Sequence, residues 1–132
     1  MLVGWENWSL PRVLSLLLGV ANIMIWLQVT IWHARGKFHK WQMWIPVIAL
    51  PILGLFSILL AILPYRWIGW SVTTLSLIGL LSGLYGGSLH ITAIRGRTGG
   101  WKMENLMSGP PFILPFMIAA TSFIQLLVIW YQ

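Results

Sequence analysis

The chain has no cysteine and no aspartate, and its 132 residues include only two acids, Glu6 and Glu104. Without cysteine there are no disulfides, thiolate metal sites or thiol nucleophiles. Without a carboxylate pair there is no acid–base couple of the usual kind, and no Ser-His-Asp set or metal-ligand spacing can be assembled. An enzyme is therefore not expected, nor is a bound metal ion. Charged residues make up 8% of the chain, against about a quarter in a soluble domain. A water-soluble fold is excluded on that ground.

What remains is largely apolar, at 58%, with ten tryptophans. Four apolar segments are long enough to cross a bilayer, about 13–32, 43–63, 69–94 and 112–130, and none contains Asp, Glu, Lys or Arg. The expected fold is a single all-α membrane domain, a four-helix antiparallel bundle. Trp5 and Trp8 precede Pro11, which suits an interfacial lead-in and a helix start near the proline. No cleavable signal peptide is expected, because Trp5 and Glu6 stand where basic residues belong. Pro51 predicts a kink in the second span. Trp101, Met103, Leu106 and Met107 predict a short amphipathic turn on the membrane surface before the fourth.

The net charge of +6 is distributed unevenly. Arg35, Lys37 and Lys40 lie in the first loop and Arg95, Arg97 and Lys102 in the third, whereas the opposite side holds only Arg12 and Arg66. The positive-inside rule then places both termini outside the cytoplasm, in a membrane of the bacterial inner type. The six basic residues are candidates for lipid headgroups, and nucleic acid is not an expected partner.

Two rows of residues stand out in the third span. Gly79, Gly83 and Gly87 recur every four residues, so they align along one helix face, and small residues in a row admit close helix approach. Ser82, Gly86 and His90 form the adjacent row. His90 sits roughly 7 to 8 Å inside Arg95 at the helical rise, and an ionisable group at such depth is a functional candidate. One use is a neutral imidazole bonded to Asn22, Gln125 or a backbone carbonyl. The other is a ligand to haem b, or a partner to a quinone, with the glycines leaving room for a flat ring. For haem the second ligand would be His33, and that requires the first helix to continue through Ala34. For quinone the helper would be Tyr85, placed by its spacing on a different face from His90.

On the first span, Ser15, Gly19, Asn22, Trp26 and Val29 share a face with His33 and are expected to look inward. Thr121, Ser122 and Gln125 do the same on the last. Four-span multidrug exporters depend on an intramembrane carboxylate, and small fluoride channels on a polar, phenylalanine-lined pore; neither pattern occurs here. A pore of several copies lined by Asn22, Gln28 and Gln125 is a further alternative. Few functional side chains and abundant packing surface favour a non-catalytic subunit or scaffold, in a larger membrane complex or in a homo-oligomer. The redox subunit with His90 and His33 is its competitor.

Overall fold

The computed structural model describes residues 1–97 and 99–131, with the backbone alone at Arg97. Helix α1 covers Leu10–Arg35, a 3-10 turn Trp41–Met43 leads into α2, Trp44–Ile62, and α3 covers Arg66–Arg97. A short α4, Met103–Ser108, and α5, Ile113–Trp130, complete the chain. Among the described residues there is no strand, and four helices are long and apolar enough to cross a membrane. Three of these are framed by the sequence in simple ways. Pro11 stands in the first turn of α1, where a missing N–H costs nothing. Pro51 is accommodated inside α2. The α2–α3 connection is only a few residues, closed by Tyr65 N–H donating to Leu63 O at 2.8 Å.

The first helix runs three residues beyond its apolar stretch. It passes through His33 and Ala34 and stops where Lys37 and Phe38 take positive φ values of 56° and 45°. Phe38 N–H donates back to His33 O at 3.0 Å, and the Phe38 ring stacks on Trp44 at 4.1 Å between centroids. This reversal folds the basic loop over the end of the bundle.

Helix α1 packs on α2, α2 on α3, α3 on α5 and α5 on α1, a ring that leaves α1 and α3 across from each other. The side chains sort by polarity in the sense lipid requires. Ser15, Asn22, Ser57, Ser76, Ser122 and Gln125 are all 0% exposed, whereas Leu17, Met24, Ile48, Leu81 and Phe123 face outward. Bonds between helices use the inward groups: Thr121 Oγ1 donates to Asn22 Oδ1 at 3.1 Å, Gln125 Nε2 to Ser15 Oγ at 3.2 Å, and Ser15 Oγ to Ser57 O at 3.0 Å.

Glycines mark the closest crossings. A Cβ at Gly83 would lie 2.6 Å from both Ala119 N and Pro115 O, and one at Gly87 would meet the Phe116 ring. Gly79 faces Ser122 in the same way. A second crossing joins α1 to α2, where Gly19 and Gly54 meet and a Cβ on Gly19 would stand 2.8 Å from Gly54 O.

The N-terminal segment differs from the interfacial lead-in expected of it. Leu2 N–H donates to Pro64 O at 2.9 Å, and Trp5 is fully buried among Leu60, Ile68, Val72 and Ile129. Arg12 Nε and Nη2 donate to Ala61 O at 2.7 Å and Ile62 O at 2.9 Å, satisfying carbonyls that the end of α2 would leave open. The segment is a stopper for this end, held by burial of one indole.

Backbone, not a flexible side chain, blocks any Cβ at Gly83. Gly83→Ala is expected to cost about 1–3 kcal/mol in a denaturant titration of the detergent-solubilised protein, with Gly83→Leu worse. Gly96→Ala, with nothing within 4 Å of the new carbon, should leave the unfolding midpoint unchanged.

Candidate functional site

Beneath the loop after α1 lies a cavity of about 480 Å³, within the usual range for a small-molecule site. Val29, Ile45, Leu89, Leu114 and Ile118 form part of its apolar floor, and Pro46, Pro111 and Pro115 part of its walls. His33 from α1 and His90 from α3 both line it. Two helices on opposite sides of the ring thus bring both candidate histidines to one space.

Each ring is held the same way. His33 Nδ1 lies 2.7 Å from Met43 O, and His90 Nδ1 lies 2.9 Å from Pro111 O. A carbonyl only accepts, so Nδ1 carries the hydrogen in both rings, and in the neutral imidazole the lone pair is left on Nε2. Neither Nε2 has a partner among the described residues. This is the arrangement in which a histidine serves as ligand, one nitrogen oriented by a main-chain acceptor and the other open. His33 also meets the Phe38 ring edge-on at 6.2 Å, which limits its rotation.

The two rows of α3 part company here. Ser82, Gly86 and His90 line the cavity, while Gly79, Gly83 and Gly87 face α5. Gly86 keeps the wall recessed, since a Cβ there would meet Pro115 Cβ at 3.3 Å. The basic residues divide as well. Arg35 and Lys40 line the cavity together with His39, and the Arg35 guanidinium lies over the Trp32 ring at 5.1 Å. Lys37, Arg95 and Lys102 are exposed and are not among the lining residues. The Arg97 side chain lies outside the described residues. Among the described residues no acid lines the cavity.

Tyr85, set apart from His90 by its spacing, nevertheless lines the same cavity. A wide opening catches residues from adjacent faces of one helix. Asn22 and Gln125 are enclosed within this one chain, whereas Gln28 is exposed, so the three do not form one lining. The carbonyls of Met43 and Pro111 were not legible as site groups, because every residue carries one. Among the described residues no three His, Cys, Asp or Glu side chains come together. No protein-family model matches the chain, and no curated protein or solved structure is significantly similar to it.

The hydrogen bonds assign a tautomer to each ring. In ¹⁵N spectra of the histidine-labelled protein without added ligand, the neutral forms of His33 and His90 are expected to show protonated Nδ1 and bare Nε2. An Nε2–H tautomer at either position would contradict the geometry.

Proposed function

We propose that the chain is a non-catalytic subunit of a bacterial inner-membrane assembly and that its basic end holds a flat amphiphilic redox group, haem b in the first instance. The observation that carries this reading is that His33 from α1 and His90 from α3 line one cavity, each with Nδ1 bonded to a main-chain carbonyl and no bond to Nε2 among the described residues. Two imidazoles with Nδ1 engaged and Nε2 left to donate its lone pair are the kind of pair that would hold haem iron, which would need no further protein ligand. The continuation of α1 to Arg35 meets the condition that bis-histidine ligation set. Arg35 and Lys40 suit the two carboxylates of haem b, and the apolar floor suits its ring. When bound, the group would supply one-electron transfer; the chain's own residues orient it, balance its charge and keep it out of lipid.

Quinone is the second reading, supported by Tyr85 and Trp32, which line the same cavity from α3 and α1. A quinol hydroxyl could donate to either Nε2. A scaffold without a ligand finds less support at the glycine face, because Gly79, Gly83 and Gly87 are used against α5 within the chain. Docking to other subunits or to copies of itself is then assigned to the lipid-facing apolar and tryptophan surfaces.

In the proposed topology the helices alternate in direction and both termini lie outside the cytoplasm. Contacts pairing Arg12 with Ala61, Trp26 with Val47 and His33 with Met43 support the alternation for α1 and α2. The cavity would then open at the cytoplasmic side, with Lys37, Arg95 and Lys102 among anionic headgroups.

The protein purified in mild detergent, as isolated and after addition of haemin, is expected to show a Soret band and sharp visible bands on reduction. His90→Ala and His33→Ala should each weaken haem binding by more than about tenfold. A preparation that stays colourless after haemin addition would overturn the haem reading. Fluorescence quenching by a short-chain quinone, lost in His90→Ala, would move the assignment to quinone.

A further inference from the structure

Helix α1 ends in a cap whose parts converge on His33. Lys37 N–H donates to Ala34 O at 2.9 Å and Phe38 N–H to His33 O at 3.0 Å, the nested pair of bonds by which a helix turns back on its last carbonyls. The residue just past such an end is usually glycine, because it takes a positive φ. Here it is Lys37, at 56°, followed by Phe38 at 45°, while Gly36, one residue earlier, has an ordinary φ of -79°. Successive side-chain-bearing residues in the left-handed region cost backbone energy and persist only where their surroundings hold them.

Phe38 is what holds them. Its ring stacks on Trp44 at 4.1 Å with 16° between the planes, and meets the His33 ring edge-on at 6.2 Å. Met43, beside Trp44, supplies the carbonyl that accepts from His33 Nδ1 at 2.7 Å, and its Cε would lie 3.3 Å from a Cβ on Gly36. His39 closes the turn with its own ring, Nδ1 standing 2.9 Å from Gly36 O. His33 is thereby fixed through its carbonyl by Phe38 N–H, through Nδ1 by Met43 O and through its ring by Phe38. Neither Lys37 nor Phe38 is among the residues that line the cavity, so both bear on the site from outside it. His90 takes its orientation from Pro111 O, on a separate stretch of chain ahead of α5.

We infer that this cap is a clamp on one side of the site: Phe38 is a positioning residue for His33, and closure of the loop and ligation at His33 Nε2 reinforce each other. The two imidazoles then differ in kind. His33 is presented to the cavity only while residues 36–40 keep their turn, whereas His90 is presented independently of it. The coupling is reciprocal, because a ligand that binds the aimed ring better than the released one stabilises the closed loop by the same factor. Strain at two φ angles keeps an open arrangement within reach of the closed one, so occupancy of the cavity decides between them. Ligation at His33 rests on the cavity's being the haem or quinone site; the aiming of the ring does not.

The experiment compares wild type with Lys37→Val, Phe38→Ala and Phe38→Tyr, each as the full chain in mild detergent with ¹⁵N-labelled histidine and no ligand. Lys37→Val puts a β-branched side chain at a positive φ, which it tolerates poorly, at an exposed position outside the cavity lining. Lys37→Val and Phe38→Ala are both expected to replace the single Nδ1–H form of His33 with a mixture of tautomers. Phe38→Tyr keeps the stack and should keep the wild-type form, and His90 should hold its wild-type signals throughout as the measure of an intact fold. His33 signals unchanged in Lys37→Val and Phe38→Ala overturn the clamp, as does an equal change at His90. With haemin added, those two variants should bind about tenfold more weakly and shift from a low-spin, two-histidine spectrum toward a high-spin, one-histidine one. Equal affinity and spin state in all four proteins overturn the coupling of loop to ligand. Failure of all four to take up haemin overturns the cofactor assignment instead, and the ligand-free histidine signals still decide the clamp.

Discussion

The contact between the backbones of α3 and α5 at Gly83 governs the rest of the molecule. Lipid tails are as apolar as leucine, so nothing presses these helices together for want of water, and association must come from close packing and bonds across the interface. At Gly83 the α3 backbone reaches the amide of Ala119 and the carbonyl of Pro115 with no side chain between. That approach sets where α5 begins relative to α3. The segment just before it carries the Pro111 carbonyl that orients His90. The glycine row is thus felt at the cavity, although it does not line it.

The two ends of the bundle are finished differently. At one end the N-terminal segment folds back, buries Trp5 and fastens the close of α2 through Arg12. At the other, the stacked Phe38 and Trp44 hold the loop after α1, and a cavity lined by basic residues and, among the described residues, by no acid remains. An end closed by Trp5 and Arg12 and an end that holds the cavity give the molecule a polarity along its axis, independent of which side of a membrane each occupies.

Much of the architecture was legible from residue order. The four apolar segments lie within three residues of the observed helices at every end, because absence of charge marks a span more sharply than any propensity. The inward face of α1 was legible from Ser15, Gly19 and Asn22 at helical spacing, all buried in the structure. The overrun of α1 to Arg35 was not, since Ala34 and Arg35 read as loop by hydropathy and are kept helical by the turn that follows. Trp5 misled for a related reason: a tryptophan near a span suggests an interface, and only the folding back of its segment reveals a core position. Within the site, His90 and the row below it were visible, whereas the entry of Tyr85 depended on cavity width, which no periodicity encodes.

The two imidazoles are steered by main-chain oxygens, at Met43 and Pro111. An anchor of that kind survives replacement of the side chain that sits above it, because any amino acid at either position still presents a carbonyl. Drift at these two positions would leave the rings aimed as they are, provided the loop keeps its course. Vulnerability is moved elsewhere, to insertions and deletions between α1 and α2 or ahead of α5, where one residue more or less would carry the oxygen away from its ring.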